Sequence, residues 1–223
     1  LEITRWRTIP SKPGMGLSLA EQAKSIWDEL CNFHSEMPAA EADISGFDWS
    51  VQDWELWADA SMRIGLGSME GRLRSAVLNR FYCFMNSVFQ LSDGTLIEQG
   101  LPGLMKSGSY CTSSTNSRIR CLMAELIGAP WCIAMGDDSV EGFVENAQLK
   151  YAELGHTCKD YVPCETDVRG NLKKVNFCSH ELSDNGMWLT SWAKTLYRFL
   201  CSPHPNLDDL ESELWGCPQW PRI

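Results

Sequence analysis

Three short segments of the chain concentrate side chains able to do phosphate or hydroxyl chemistry. The first is Asp43-x4-Asp48, within Ala42-Asp43-Ile44-Ser45-Gly46-Phe47-Asp48-Trp49-Ser50. The second is Ser107-Gly108, followed by Thr112 and Asn116, and the third is Gly136-Asp137-Asp138. Taken singly, each has an ordinary structural reading. An aspartate ending a strand is often a helix cap, a Ser/Thr/Asn cluster is often a turn, and Gly-Asp-Asp suits a hairpin turn. Their apolar flanks change the reading. Asp137 and Asp138 sit between Trp131-Cys132-Ile133-Ala134-Met135 and Val140, and two carboxylates at a tight turn repel each other. A divalent cation relieves that repulsion, and Asp43 supplies the third carboxylate that an oxygen-liganded Mg²⁺ pair needs. Two such ions, about 3.5–4 Å apart, activate a hydroxyl nucleophile and stabilise the leaving oxygen of an in-line phosphoryl displacement.

The elements that must position these groups follow from periodicity. Leu19, Ala23, Ile26, Leu30 and Phe33 recur at helical spacing and predict a helix over 19–36. Residues 1–18, rich in Pro and Gly, read as a loop. Residues 42–50 read as a short strand running into a turn, with helices over 51–63 and 71–87. Asp93-Gly94 between two apolar runs predicts a hairpin over 88–98. A Gly/Ser-rich loop (103–111) leads to a helix over 112–127, two short strands joined at Asp137-Asp138 lie within 131–144, and a helix covers 144–154. A hairpin formed by 173–181 and 187–191, then helices near 192–201 and 207–215, complete the chain. Strand pairs joined as hairpins among helices predict an α+β fold, an antiparallel sheet covered by helices on one face.

Composition narrows the classes. The 223 residues are 44% hydrophobic, 22% charged and 10% aromatic, which fits a folded globule rather than a disordered chain. No run of about 18 apolar residues marks a membrane span. The chain begins at Leu1 with no leader, which reads as a processed product or an excised piece. Ten cysteines with no CxxC pair read as reduced, mostly buried thiols. His156, Cys158, Cys178 and His180 have only Cys-x-His and His-x-Cys spacings, short of the patterns of tetrahedral zinc sites. Of ten tryptophans, Trp49, Trp54 and Trp57 follow the first motif; packing beneath the sheet is favoured over base stacking.

The three segments in this order resemble motifs A, B and C of the palm domain of positive-strand RNA virus RNA-dependent RNA polymerases. The wording around DISGFDWS, SGSYCTSSTN and MGDD is most similar to sobemovirus, polerovirus and barnavirus polymerases. Residues 151–159 resemble motif D and residues 175–180 motif E, and Thr4-Arg5-Trp6-Arg7 is similar to the end of motif F. The resemblance implies a right-hand polymerase palm with part of the fingers and the start of the thumb. The expected divisions are 1–36 (end of fingers and connecting helix), 37–52 (motif A), 53–100 (fingers insertion and helices), 101–172 (motifs B, C and D), 173–192 (motif E hairpin) and 193–223 (start of the thumb).

It also implies template-directed RNA synthesis from NTPs, with release of pyrophosphate. Asp43, Asp137 and Asp138 would hold two Mg²⁺ ions, with Mn²⁺ as a substitute. Asp48 and Asn116, aided by Ser107 and Thr112, would read the ribose 2′-hydroxyl, and Gly108 would let the motif B loop move. Lys159 would be the general acid for pyrophosphate; an ordinary surface lysine is the equal alternative. Arg7 would hold the triphosphate. Phe177, Cys178 and Ser179 would lie on a hairpin gripping the primer, or would simply pack. Expected partners are template RNA, nascent RNA, NTPs and other viral replication proteins. The expected location is the host cytoplasm, in membrane-associated replication complexes, with no membrane anchor in this chain.

The formal charge of −10 runs against nucleic-acid binding by itself. Arg5, Arg7, Lys106, Arg118 and Arg120, however, cluster beside the motifs and are expected to face RNA. Other readings fare worse. Reverse transcriptases usually carry an aromatic-x-Asp-Asp turn and lack the Asp48/Asn116 pair. No Gly-x-Ser-x-Gly elbow supports a hydrolase, and Lys12-Pro13-Gly14-Met15-Gly16 lacks P-loop spacing. A palm core that folds yet is inactive alone remains the non-enzyme alternative.

Overall fold

A computed structural model describes residues 6–8, 19–203 and 206–208. Its elements are β1 (Trp6–Thr8), α1 (Leu19–Glu36), β2 (Ala39–Ile44), α2 (Phe47–Ser50), α3 (Asp53–Leu66), α4 (Gly71–Met85), β3 (Val88–Gln90), β4 (Leu96–Glu98) and α5 (Thr112–Ile127). They continue with β5 (Cys132–Met135), β6 (Asp138–Gly142), α6 (Ala147–Glu153), β7 (Cys158–Pro163), β8 (Glu165–Thr166), β9 (Leu172–Phe177), β10 (His180–Ser183), β11 (Gly186–Leu189) and α7 (Trp192–Leu200). The fold is α+β, as the pattern of hairpins and helices predicts. A five-stranded sheet has the order β1-β5-β6-β2-β7, and a four-stranded sheet the order β11-β10-β9-β8.

The chain forms two compact units. The first comprises residues 1–11, 42–139 and 144–161; the second comprises 12–41, 140–143 and 162–223. The first unit is organised by α5. Its buried positions Asn116, Ile119, Arg120, Met123, Ala124 and Ile127 recur every three or four residues and form one stripe along the helix. The apolar members pack with Phe47, Val51, Leu56, Met85, Cys132, Ala134 and Tyr151 into one core. In the same unit the β3–β4 hairpin turns at Asp93-Gly94, but its strands are fully exposed. Along α4 only Met85 is buried.

The second unit packs α1 through Ile26, Trp27 and Leu30 and carries the antiparallel run β9, β10 and β11. Val175 and Phe177 mark the buried face of β9, and Leu172 at its start is buried as well. His34 is used at both ring nitrogens. Its Nδ1 accepts the Ala39 N–H at 3.0 Å, and its Nε2 lies 3.2 Å from the Gly170 carbonyl.

Several expectations are corrected. Residues 6–8 are not loop but a strand, parallel to β5 in the register Arg7 with Ile133. Three residues carry too little alternation to be read as a strand; the pairing partner makes it one. The expected two-strand hairpin over 173–191 is three strands. The extra reversal falls at Cys178 and Ser179, both left-handed (φ 53° and 60°), a conformation that neither residue type favours. Strands β7 and β8 were not read at all, because Cys158–Pro163 is mostly exposed and lacks an apolar rhythm. The expected helix at 207–215 lies outside the described residues except at 207–208.

The nine described cysteines are thiols. Four are buried and three half-buried, but Cys83 and Cys201 are exposed. Burial, with Glu41 nearby, pushes the Cys164 thiol up to about 12. Trp57 packs against the core, whereas Trp49 is 79% exposed and does not pack beneath the sheet. Among the described residues no helix is long and apolar enough to cross a membrane.

Leu56 is fully buried in the core of the first unit. Leu56→Ala is expected to cost about 2–5 kcal/mol, read as a lower urea midpoint. A loss below about 1 kcal/mol would remove it from that core.

Candidate active site

Motif A is set by strand alternation. Along β2, Ala42 and Ile44 are buried while Asp43 between them is exposed, because neighbouring side chains on a strand point to opposite faces. The chain then turns at Gly46 (φ 58°) into the single turn α2, whose Phe47 is buried. Asp48, the next residue, is left half-buried.

Motif C is a two-residue hairpin. Cys132, Ile133 and Ala134 of β5 are fully buried. Gly136 takes φ 66° at the first turn position, as a type II′ turn requires and as a side chain would resist. Asp137 stands exposed at the tip and Asp138 opens β6, half-buried. The Gly136 N–H donates to Ser117 Oγ at 2.8 Å, and that hydroxyl donates to the Ser113 carbonyl at 2.8 Å. Helix α5 therefore grips the turn one residue ahead of Asp137.

In the sheet β6 lies between β5 and β2, and β7 lies beyond β2. Asp138 and Asp43 thus belong to neighbouring strands. Lys159 on β7 has its Nζ 3.7 Å from Asp43 Oδ2 and 3.2 Å from Asp160 Oδ2. Asp160 first, and then Asp43, hold its ammonium above the ordinary lysine range. Carboxylate oxygens at strand ends are the donors a hard divalent cation takes, so the residue types fit a metal. Among the described residues, however, no three His, Cys, Asp or Glu side chains form a metal-holding cluster. Asp43 and Asp138 lie on adjacent strands and Asp137 in the turn ahead of β6, and the three do not form a closed cage. Like charges repel, two of the three are solvated, and Asp43 faces the Lys159 ammonium.

Motifs A and B meet at Asp48. Its Oδ1 accepts from Asn116 Nδ2 at 2.9 Å, and its Oδ2 accepts from Ser107 Oγ. The backbone supports this: the Met105 N–H donates to the Asp48 carbonyl at 2.8 Å. Asn116 is buried, and its Oδ1 is a buried acceptor with no hydrogen-bond partner. Thr112 does not join them. Its Oγ1 lies 2.8 Å from Ser109 Oγ, 3.0 Å from the Ser109 carbonyl and 3.2 Å from that of Lys106, so it closes the turn that starts α5. Gly108 is exposed with φ 88°. Arg7 pairs through its backbone with Ile133, and Arg5 lies outside the described residues.

Basic residues expected to face RNA are partly committed elsewhere. Arg120 is fully buried. Its Nη2 donates to Ser139 Oγ at 2.5 Å and reaches the Ala42 carbonyl at 3.4 Å, and its guanidinium lies 5.2 Å from the Tyr151 ring centre. Arg118 donates through Nε to Asp59 Oδ1. Fully buried Asp59 also accepts from Arg63 Nε at 2.8 Å and from Thr115 Oγ1 at 2.9 Å. Lys106 donates to the Gly103 carbonyl at 2.6 Å and sits 4.8 Å from the Phe84 ring centre; burial lowers its ammonium to about 8.

Both His156 nitrogens are taken, Nε2 by Glu55 Oε1 at 2.6 Å and Nδ1 by Ser50 Oγ at 2.9 Å. His180 Nδ1 lies 2.7 Å from the Cys178 carbonyl. The sequence reading missed Ser117, Asp59 and Glu55, and weighed His156 only as a zinc ligand. Glu55 and Asp59 had a usable signal: they share the buried stripe of α3 with Leu56 and Ala60.

The fold resembles that of a solved viral enzyme, an insertion-loop deletion mutant of the RNA-dependent RNA polymerase of a human picobirnavirus. The TM-score is 0.65 at 15% identity, over 82% of this chain and 38% of that one. A family model described as viral RNA-directed RNA polymerase matches residues 1–194. The chain belongs to the viral RNA-directed RNA polymerase family, whose members are in general metal-dependent.

It is 67% identical to the replicase polyprotein P2AB of Southern bean mosaic virus, over 100% of this chain and 23% of that protein. It is 44% identical to protein P1-P2 of Turnip yellows virus, over 94% of this chain and 20% of that protein. It is 38% identical to the RNA-directed RNA polymerase of Mushroom bacilliform virus, over 92% of this chain and 50% of that protein. The chain thus spans only about a quarter of the length of its most similar relatives.

Asp59 ties α3 to the first turns of α5 and is the acceptor for two guanidinium groups. Asp59→Ala is expected to cost about 3 kcal/mol, since it strands buried donors, whereas Asp59→Asn, which keeps one acceptor, costs less. Equal urea midpoints for Asp59→Ala and the parent chain would show that the network contributes nothing.

Proposed function

We propose that this chain is the palm-centred part of a polymerase that synthesises viral RNA on an RNA template, extending an RNA 3′-hydroxyl with NTPs and releasing pyrophosphate. The observation that carries this reading is the convergence of Asp48, Ser107 and Asn116. Two motifs separated by a long stretch of chain meet in one hydrogen-bonded group beside the strand that bears Asp43. Each carboxylate oxygen of Asp48 keeps a free lone pair, and Asn116 Oδ1 is a further acceptor. A ribose 2′-hydroxyl satisfies such acceptors, and a deoxyribose leaves them unpaired, which is how a site built for a hydroxyl rejects its absence. That pairing also weighs against the reverse-transcriptase alternative.

Asp43, Asp137 and Asp138 would hold two Mg²⁺ ions, which Mn²⁺ could replace. When bound, such ions polarise the reacting phosphate and lower the cost of forming the attacking alkoxide. The chain's own residues do the remainder. Asp48, Asn116 and Ser107 hold the sugar, Thr112 keeps the loop ahead of α5 closed, and Gly108 leaves that loop free to shift with the template. Lys159, charged and beside Asp43, is placed to give a proton to the departing pyrophosphate. Arg7 would bind the triphosphate as a planar donor fork.

Under this reading residues 37–52 and 101–172 form most of the palm, 53–100 belong to the fingers, 173–192 form the motif E hairpin, and 193–223 begin the thumb. Partners are template and nascent RNA, NTPs and other viral replication proteins, in membrane-associated complexes of the host cytoplasm.

Two variants of the full-length polymerase test this. Asp137→Asn is expected to lower template-directed incorporation about a hundredfold or more; near-parental synthesis would remove the metal assignment. Asn116→Ala is expected to lower the preference for NTP over dNTP about tenfold, and an unchanged preference would remove its sugar-reading role. Primer extension by the 223-residue chain itself, beside the full-length protein, separates an active core from a palm that folds but cannot work alone.

A further inference from the structure

We propose that His156 is a positioning residue: clamped between Glu55 and Ser50, it fixes the α2 turn that presents Asp48, and it does so from the segment that leads into Lys159. The inference rests on the sugar-reading role given to Asp48 above.

The α2 turn needs outside support. It is four residues long, begins at a glycine and has no side-chain cap; isolated helices are marginal even at several times that length. Its N-terminal end is anchored by buried Phe47, whose ring stacks on the His156 ring at 6.0 Å between centres and 20° between planes. Its C-terminal end is anchored by Ser50, whose Oγ lies 2.9 Å from the Phe47 carbonyl and 2.9 Å from His156 Nδ1. His156 is 1% exposed. Its Nε2–H points at Glu55 Oε1, 2.6 Å away, while Glu55 Oε2 accepts the Gln52 N–H at 2.8 Å. One fully buried carboxylate therefore caps α3 and orients the imidazole.

Neighbouring contacts make the link a seam. The Ser45 N–H donates to the Thr157 carbonyl at 2.9 Å, and Gln52 Nε2 donates to the Leu154 carbonyl at 2.6 Å. At Gly155 (φ 88°) a Cβ would fall 2.0 Å from Gln52 Nε2, so a side chain there would displace the Gln52 amide from its bond to Leu154 and strain the backbone. Five contacts thus join residues 45–55 to 154–157 on either side of Asp48. Two residues beyond Thr157 stands Lys159, 3.7 Å from Asp43. Moving His156 moves the Asp48 turn and the Lys159 strand together.

The test uses the full-length polymerase with His156→Gln, the milder Ser50→Ala, and Leu30→Ala as a core truncation that lowers stability elsewhere. Two readouts are taken. Amide exchange at residues 46–50 is expected to quicken about tenfold or more in the first two variants, while α5 keeps its protection; Leu30→Ala leaves 46–50 unchanged. Discrimination between NTP and dNTP is expected to fall about tenfold, chiefly through a higher KM for NTP, in His156→Gln and less in Ser50→Ala, but not in Leu30→Ala.

Unchanged exchange at 46–50 in both His156→Gln and Ser50→Ala overturns the inference, whatever the activity. Equal loss of discrimination in Leu30→Ala also overturns it, since the effect would then be general destabilisation. If the parent protein does not prefer NTP, the sugar-reading role fails, and the exchange readout still decides whether His156 holds the turn.

Discussion

A polar side chain on the buried stripe of a helix must find a partner, because leaving it desolvated and unpaired costs more than a hydrogen bond returns. Helix α5 carries several such groups, and three of them, Asn116, Ser117 and Arg120, find partners at or beside an aspartate of the candidate site. Asn116 donates to Asp48 itself. Ser117 accepts from the N–H of Gly136, the residue before Asp137. Arg120 reaches the carbonyl of Ala42, before Asp43, and the hydroxyl of Ser139, after Asp138. One helix, by meeting its own hydrogen-bonding needs, sets the register of every acidic segment. Thr115 and Arg118 tie the helix in turn to Asp59 on α3.

Under the proposed function, this arrangement accounts for an acidic chain acting on an anionic substrate. The net charge of −10 says little about the site. Two of the carboxylates, Glu55 and Asp59, are fully buried and paired, and others stand where cations act, including the Lys159 ammonium. Conversely, Arg118 and Arg120 contribute to the positive count yet are spent on internal partners. Arg72, Arg74 and Arg80 on α4 are exposed and are free to meet solvent or phosphate. Charge bookkeeping by sequence thus misplaces both signs, because burial rather than count decides which charges a ligand meets.

Much of the architecture was legible before any coordinates. Helices α1 and α5 run over the expected residues, the Asp93-Gly94 hairpin is present, and two short strands meet in a turn at Gly136-Asp137, one residue ahead of the expected Asp137-Asp138. The three motifs, read from residue type and order, fall on neighbouring strands and the helix between them. These features are local: a helical stripe, an alternation or a turn dipeptide is written within a few residues, so the sequence by itself determined the elements, the acidic segments and the family.

What only the tertiary structure decided is who pairs with whom. That Asn116 meets Asp48, that Arg120 is buried instead of facing RNA, that His156 is held by Glu55 and Ser50 and not by zinc, and that residues 6–8 form a strand all depend on partners far along the chain. So does the break at Cys178-Ser179, where the pairing of β9 with β10 holds two non-glycine residues in the left-handed region. Hydrogen-bond partners and burial are properties of a three-dimensional neighbourhood, and a side chain's type does not encode which neighbour the fold will bring to it.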